Sequence, residues 1–298
     1  MRILMCPPDF FVIEKEINKW MKKENQPDRY LSKKQWVRPV QIYTTLEADP
    51  WFIEPDPDCQ DMCFTANTGW CRWGILLRAN FKGAVAEARA RELIRHEKWF
   101  KDRQKILGLE IVPWPSPSHG FGGQADVVTV GKNKESIILL MGYGQKNRTE
   151  YEAKDIIREV HGLLPDQVIP MRLVNDDFYD FDTTCLYVPP FDNSEEVLIY
   201  YPGAYDAAGR RVINSLPIDP RDIIAVTDEE AHNFVCNGVF IRDPNGRTNI
   251  IMNQPSERLM SILKERGFVV WVVDTSEFLK SGGSVRCLSL FLPDKNWL

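Results

Sequence analysis

Cys287 lies in the segment Ser281-Gly-Gly-Ser-Val-Arg-Cys-Leu-Ser-Leu290. The two glycines predict a tight turn, and the alternating apolar residues after the cysteine predict a strand. A thiol at such a junction becomes a nucleophile when its neighbours lower its pKa. The alternative is that Cys287 is a small buried hydrophobic side chain, as most free cysteines are. The other polar residues bear on this choice.

Most polar residues that could take part in chemistry lie in loops directly before a predicted pair of strands. Side chains at equivalent positions of a repeated module would converge on the centre of the fold. The pattern therefore predicts a central pocket lined by carboxylates, amides and one thiol. The loops contain Asp61 and Asn67, His119 to Asp126, Asp180 to Asp182, His232 to Asn237, and Ser281 to Cys287.

The positions of these loops follow from a repeated order of strand, strand, helix and strand. The clearest copy spans 126–174, where the capping box Thr149-Glu-Tyr-Glu152 precedes a predicted helix with one apolar face. Further copies span 185–226 and 236–273, and the later one contains the hairpin signal Asp243-Pro-Asn-Gly246. Each copy is entered through one of the polar loops.

The two ends of the chain complete the repeat. An upstream copy has a predicted hairpin at 63–67 and 73–79, followed by a long helix at 85–107. The last copy is complete only if the N-terminal strand 2–6 pairs with the strand after Cys287. Five modules then describe a closed ring of mixed α/β structure.

We expect this ring to be a single domain over residues 1–298. Residues 9–58 are rich in Pro, Trp and Asp and predict an irregular insertion, which could cover one face of the ring as a lid.

The composition excludes several classes of partner. The 298 residues are 44% hydrophobic and 27% charged, with a net charge of -5 and no Lys/Arg-rich run, which disfavours nucleic acid and anionic membranes. The N-terminus lacks the pattern of a signal peptide, and no segment approaches the ~20 apolar residues of a membrane span. Seven scattered cysteines predict reduced thiols and a cytoplasmic location, and they do not form the pattern of a zinc site.

Four segments stand in the order found in enzymes that modify guanidino groups. From Arg2 to Leu292 the chain resembles the arginine deiminases, arginine dihydrolases, dimethylarginine dimethylaminohydrolases and amidinotransferases. The resemblance implies the pentein fold, a five-bladed α/β propeller of ββαβ modules, in agreement with the predicted repeat. The segments are Asp61-Met-Cys-Phe-Thr-Ala-Asn67, Gly142-Tyr-Gly144 with Arg148-Thr-Glu150, Phe178-Tyr-Asp-Phe-Asp-Thr183, and Gly282-Gly-Ser-Val-Arg-Cys287.

The resemblance also implies roles for these residues. Cys287 would attack the guanidino carbon while Asp61 and Asn67 hold the guanidinium nitrogens. Arg78 and Arg148 would bind the α-carboxylate of an amino-acid substrate. Turn and cap roles for the first pair and surface ion pairs for the arginines are the alternatives.

Three further polar residues are expected to complete the substrate pocket, because they lie in the same set of loops. These are Asp126, Asp182 and Asn237.

Two positions depart from the family pattern. The resemblance implies an acid/base histidine where Asp180 stands and its orienting carboxylate where Gly122 stands. In one explanation His119 is the acid/base and Asp180 orients it. In a second, Asp180 acts directly on the substrate, and in a third the pocket only binds its ligand. His119 is equally well explained as a solvated loop residue.

We therefore expect a cysteine-dependent hydrolase that acts on the guanidino or amidino C–N bond of an arginine-like molecule through a covalent thiouronium. An amidinotransferase and a non-catalytic binder of guanidino ligands are the alternatives. The expected partner is a small guanidino or amidino molecule, no metal or organic cofactor is implied, and a homodimer is compatible with the sequence. His96 and His161 are expected at the surface.

Overall fold

The computed structural model describes residues 1–131, 134–144, 148–190 and 196–293. Within these ranges, fifteen strands form five sheets of three strands each. In every sheet the central strand is antiparallel to one neighbour and parallel to the other. The ββαβ repeat predicted from the sequence is confirmed.

The helices and strands follow in the order strand, strand, helix, strand, with one module shared between the chain ends. In chain order they are β1 (Arg2–Met5), α1 (Arg29–Thr45), β2 (Asp49–Phe52), β3 (Gly69–Arg72), β4 (Ile75–Arg78), α2 (Gly83–Leu107), β5 (Glu110–Val112), β6 (Val127–Val130), β7 (Ile138–Tyr143), α3 (Ala153–His161), β8 (Val168–Arg172), β9 (Cys185–Val188), β10 (Val197–Tyr200), α4 (Ala207–Ser215), β11 (Ile223–Ala225), α5 (Asp228–His232), β12 (Val239–Arg242), β13 (Thr248–Asn253), α6 (Glu257–Glu265), β14 (Val269–Val273), α7 (Ser276–Leu279) and β15 (Leu290–Leu292).

The ring closes through the N-terminal strand. β1 lies at the centre of its sheet, antiparallel to β15 with Ile3 opposite Phe291, and parallel to β2 with Ile3 opposite Pro50. The predicted pairing of the N-terminal strand with the strand after Cys287 is therefore confirmed.

Apolar clusters join each module to the next. Residues of the β3–β5 sheet pack with those of the β6–β8 sheet, which pack in turn with the β9–β11 and β12–β14 sheets. The β12–β14 sheet packs against β1 and α1, and β1 packs against β4. The core thus runs around the whole ring, and this holds the loops at its centre.

Two predicted elements differ from the structure. Residues 63–67 are not a strand, because a 3-10 turn spans Thr65–Thr68 and the Thr65 hydroxyl donates to the Leu4 carbonyl at 2.9 Å. Residues 9–58 are not wholly irregular, since they contain α1 and β2. Pro39 inside α1 obscures this helix in the sequence, although its buried residues keep helical spacing.

The two histidines expected at the surface are buried. His96 and His161 are each only 2% exposed, and their Nδ1 atoms donate to the carbonyls of Glu92 and Ile157. Burial lowers the pKa of both imidazoles from 6.5 to about 4.

Within the described ranges, none of the helices has the length and apolar character needed to cross a membrane.

We expect the contribution of His96 and His161 to the stability of the folded state to fall as the pH is lowered from about 6.5 to about 4. In that window the unfolded chain protonates both histidines while the folded chain keeps them neutral, so the folded state loses stability on acidification. Each histidine should contribute about 3 kcal/mol to the change. Urea denaturation of wild type and His96→Leu at several pH values measures this difference.

The control is Ile94→Leu at an exposed position of the same helix, which should keep the wild-type pH dependence because neither side chain titrates. Equal slopes for wild type and His96→Leu would contradict the assignment of His96 as a buried neutral imidazole.

Candidate active site

The loops that enter the sheets meet at the centre of the ring and bond to one another. Ala66 N donates to the Cys287 carbonyl at 3.1 Å, and Arg286 N donates to the Asn237 carbonyl at 3.0 Å. Three of the predicted polar loops are thereby joined beside the thiol.

Asp126 holds two further loops. Its Oδ1 accepts a hydrogen bond from Phe181 N at 3.0 Å, and its Oδ2 accepts one from Thr149 Oγ1 at 2.6 Å. Thr149 Oγ1 also accepts from Gly122 N at 2.8 Å, so Thr149 serves this junction and does not cap α3, which begins at Ala153. Because both Asp126 oxygens bond to the chain, Asp126 positions the loops.

Gly122 leaves no room for the carboxylate that the family resemblance implies there. A Cβ at this position would lie 2.2 Å from Asp126 Oδ2 and 3.2 Å from Arg148 Cβ. Any side chain at Gly122 would therefore displace Asp126 and loosen the junction that it holds.

The Cys287 thiol is held by an amide and a carboxylate. Asn237 Nδ2 lies 3.1 Å from Sγ, while Asn237 Oδ1 accepts from Ser284 N at 3.0 Å and from Cys287 N at 3.2 Å. Sγ also lies 3.6 Å from both carboxylate oxygens of Asp182. Asn237 thus fixes the turn as well as the thiol.

The charges around Cys287 favour its protonated form. Burial, Asp182 and Asp180 raise the pKa of the Cys287 thiol well above its ordinary value, against the hydrogen bond from Asn237. Burial and Asp180 also raise the pKa of Asp182, although Arg286 lowers it. The neighbours therefore do not lower the thiol pKa as a resting nucleophile requires, because carboxylates predominate around it.

Asp180 forms a buried ion pair. Its Oδ2 accepts hydrogen bonds from Arg148 Nη1 at 2.8 Å and from Asn67 Nδ2 at 3.1 Å. The Arg148 guanidinium lies 4.9 Å from the ring centroid of Tyr179. Burial opposes its charge, but Asp180 and Tyr179 raise the pKa of Arg148. Asp180 is thus the ion-pair partner of Arg148, the arginine for which the resemblance implies a contact with the substrate carboxylate.

A second buried arginine, Arg89 of α2, belongs to the same cluster. Its Nε donates to Glu92 Oε2 at 2.8 Å and its Nη1 donates to Asn67 Oδ1 at 3.0 Å. Its Nη2 donates to the Asp61 carbonyl at 3.1 Å, and Asp61 N donates to Glu92 Oε1 at 3.0 Å. Burial raises the pKa of Glu92 to about 7, with Arg89 acting against this and Asp61 adding to it.

Sequence analysis misses Arg89 and Glu92 because α2 is rich in charge and resembles a surface helix. Both residues, together with His96 and Phe100, fall at helical spacing on one buried stripe. The signal available in the sequence was that these two charged residues share one face of the predicted helix with apolar residues.

Arg78 lies outside the cluster. Its guanidinium forms an ion pair with Glu97 of α2. The Arg78 side chain, which was expected to bind a substrate carboxylate, is therefore directed to a neighbouring helix, whereas Arg89 is the arginine that bonds to Asp61 and Asn67.

His119 also lies apart from the thiol cluster. Its Nδ1 is 2.8 Å from Ser116 Oγ and 3.3 Å from Ser118 Oγ. Among the described residues, no hydrogen bond joins His119 to Asp180. The exchanged His119–Asp180 pair is not formed, because His119 Nδ1 lies beside the two serines while Asp180 Oδ2 accepts from Arg148 and Asn67.

Residues 18–21, which we call the cover segment, lie over the Cys287 turn. Asn18 Nδ2 donates to the Ser281 carbonyl at 3.1 Å, and Trp20 Nε1 donates to the Asp177 carbonyl at 2.7 Å. A Cβ at Gly282, whose φ is +72°, would lie 2.7 Å from the Trp20 ring. This part of the 9–58 segment therefore packs where a lid was expected.

The cluster as a whole suits a cation, since carboxyl groups outnumber arginines in it. In the described ranges, no three or more His, Cys, Asp or Glu side chains are grouped to hold a metal ion. The carboxyl groups are those of Asp61, Glu92, Asp126, Asp180 and Asp182, and the arginines are Arg89, Arg148 and Arg286.

Comparison with known proteins gives consistent relatives. The family model for eukaryotic N,N-dimethylarginine dimethylhydrolase matches residues 192–291. The N(G),N(G)-dimethylarginine dimethylaminohydrolase of Mycobacterium tuberculosis is 30% identical over 290 residues, which cover 97% of this chain and 85% of that protein.

The bifunctional arginine dihydrolase/ornithine cyclodeaminase ArgZ of Synechocystis sp. is 32% identical, covering 98% of this chain. The match covers 38% of that relative, so this chain spans less than two fifths of its length.

Solved structures show the same fold. The substrate-bound mutant of the ArgZ N-terminal domain has a TM-score of 0.82 at 32% identity, over 97% of both chains. The dimethylarginine dimethylaminohydrolase of Pseudomonas aeruginosa, complexed with citrulline, has a TM-score of 0.68 at 19% identity and shares the fold. The chain therefore belongs to the dimethylarginine dimethylaminohydrolase family of the pentein superfamily.

Proposed function

We propose that this protein is a cysteine-dependent hydrolase that cleaves the guanidino C–N bond of an arginine-like small molecule. The observation that carries the proposal is the contact of Cys287 Sγ with both oxygens of the buried Asp182, next to the Asn237 amide. A variant of the ArgZ N-terminal domain is covalently bonded to a reaction intermediate, which supports covalent catalysis in a relative of this chain.

Binding of a guanidinium cation supplies the positive charge that the thiol lacks. A cation beside Asp182 and Cys287 lowers the pKa of both groups, because an opposite charge favours their ionised forms. The Asp182 carboxylate then accepts the thiol proton, a role for which the resemblance implies a histidine. We assign this role to Asp182 and not to Asp180, because both Asp182 oxygens lie 3.6 Å from Sγ whereas Asp180 Oδ2 pairs with Arg148 and Asn67.

The reaction balances with these groups alone. Sγ bonds to the guanidino carbon while Asp182 takes the thiol proton, and an electron pair of the C–N π system moves to nitrogen. The C–N bond to the leaving amine breaks as that nitrogen takes the proton from Asp182, which leaves a thiouronium on Cys287.

Asp182 takes one proton from a water molecule as its oxygen adds to the same carbon. The C–S bond then breaks, and Asp182 passes this proton to the departing sulfur. The second water proton is lost from the oxygen of the product to solvent, where it protonates the released amine to ammonium. The second product is a urea-type compound. An acceptor amine in place of water would make the protein an amidinotransferase.

A non-catalytic binder is the second candidate, and one observation favours it. Among the described residues, no histidine forms a hydrogen bond with Cys287 or Asp182.

We place the protein in the cytoplasm, since all seven cysteines are free.

The first test is intact-mass analysis of the protein incubated with a panel of guanidines. We expect a covalent adduct or release of an amine from wild type, and neither from Cys287→Ala, because the thiol forms the intermediate. Cys71→Ala is the matched control, since this thiol also lies in the core but outside the cluster, and it should behave as wild type. Tight binding without adduct or turnover across the panel would establish the binder, and turnover only with an added amine would establish transfer.

The second test distinguishes the role of Asp182 as a general base from the effect of its charge on the pKa of the Cys287 thiol. Asp182→Asn should reduce turnover at least ~100-fold, since a general base is lost. The same change should speed alkylation of Cys287 by iodoacetamide at pH 8, because removal of a carboxylate charge lowers the pKa of the thiol.

The matched control for this test is Asp166→Asn at an exposed position, which should change neither rate. Turnover near the wild-type rate in Asp182→Asn would contradict the assigned role, and so would slower alkylation of a folded variant.

A further inference from the structure

Two arginines of the cluster are already engaged by carboxylates of this chain. Arg148 Nη1 lies 2.8 Å from Asp180 Oδ2, and the Arg148 side chain is 6% exposed. Arg89 Nε lies 2.8 Å from Glu92 Oε2, and both side chains are 2% exposed.

The remaining arginine of the cluster, Arg286, packs against an aromatic ring. Its guanidinium lies 4.4 Å from the centroid of the Phe291 ring. Arg148 and Arg89 are therefore the two arginines of the cluster that form ion pairs with carboxylates among the described residues.

In contrast to these arginines, two carboxylate oxygens of the cluster are unpaired. Asp61 Oδ1 and Asp180 Oδ1 are buried and have no hydrogen-bond partner among the described residues. Both residues are only 1% exposed. Buried polar atoms are normally paired, so two free acceptors in one cluster indicate a missing donor.

We propose that the substrate is a guanidinoalkyl amine without a carboxylate, and this inference rests on the function proposed above. The free oxygens of Asp61 and Asp180 would accept N–H groups of a ligand that is cationic at both ends. The proposal therefore narrows the arginine-like substrates to those that have lost the carboxyl group.

Among the described residues, neither Arg148 nor Arg89 is open to the carboxylate of an amino-acid substrate. To reach Arg148 it would have to displace Asp180, and to reach Arg89 it would have to displace Glu92. In either case a buried carboxylate would lose the cation that compensates it, which is strongly unfavourable.

Asp180 accounts for both differences from the site that the resemblance implies. Asp180 stands where the resemblance implies a histidine, and it pairs with the arginine to which the resemblance assigns a substrate carboxylate. The same substitution therefore removes the acid/base histidine and closes the carboxylate site.

The first experiment compares two probes on the Cys287→Ala variant by calorimetry. The probes are arginine and 4-aminobutylguanidine, which is arginine without its carboxylate. We expect the decarboxylated probe to bind at least ~10-fold more tightly. Equal binding, or tighter binding of arginine, would overturn the inference.

The second experiment frees Arg148. Asp180→Asn in the Cys287→Ala background should shift the ratio of the two affinities toward arginine by at least ~10-fold, because the arginine loses its internal partner. Asp166→Asn is the control and should leave the ratio unchanged. An unchanged ratio in a folded Asp180→Asn protein would overturn the assignment of Asp180, and the first experiment stands if this variant fails to fold.

Turnover by wild type distinguishes this inference from the proposed function. Preferential binding of 4-aminobutylguanidine with no turnover of either probe would overturn the hydrolase and support the inference. Preferred turnover of arginine would support the hydrolase and overturn the inference. Absence of binding by both probes would overturn both.

Discussion

The pairing of β1 with β15 is the interaction on which the site depends. β15 directly follows the turn that carries Cys287, and its partner comes from the first residues of the chain. The strand that follows the turn is thus anchored once the two ends of the chain have met. Apolar clusters at every boundary between modules then hold the ring closed. The closed ring fixes the positions of the central loops, and a few hydrogen bonds between the loops set the geometry of the site.

The second constraint is the compensation of buried charge. Breaking a buried ion pair by removal of one partner costs about 3–5 kcal/mol, because the other charge stays buried. The Arg148–Asp180 pair therefore makes the two positions interdependent. Gly122 belongs to the same arrangement, since a side chain there would displace Asp126 and touch Arg148. The departures from the family pattern at 122 and 180 thus meet in one packed group of side chains.

The sequence predicted most of the fold because each module is local. Alternating strands, the Gly108 helix end and the Asp243-Pro-Asn-Gly246 turn are signals read within a few residues. It also predicted that Asp61, Asn67, Asp180, Asp182, Asn237 and Cys287 lie in loops that meet. The partners of these residues could not be predicted, because side-chain pairing depends on distances between modules. Arg78 and His119 stand at suitable places along the chain, yet their side chains bond to Glu97 and Ser116. Helix α1 was missed because Pro39 interrupts its pattern.

The cover segment contacts two of the central loops at once. Asn18 bonds to the Ser281 carbonyl beside the Cys287 turn, and Trp20 bonds to the Asp177 carbonyl three residues before Asp180. The contacts that cover the Cys287 turn are therefore also contacts that hold these two loops to each other. Loss of these contacts would both expose the turn to solvent and loosen the loops that order the thiol cluster.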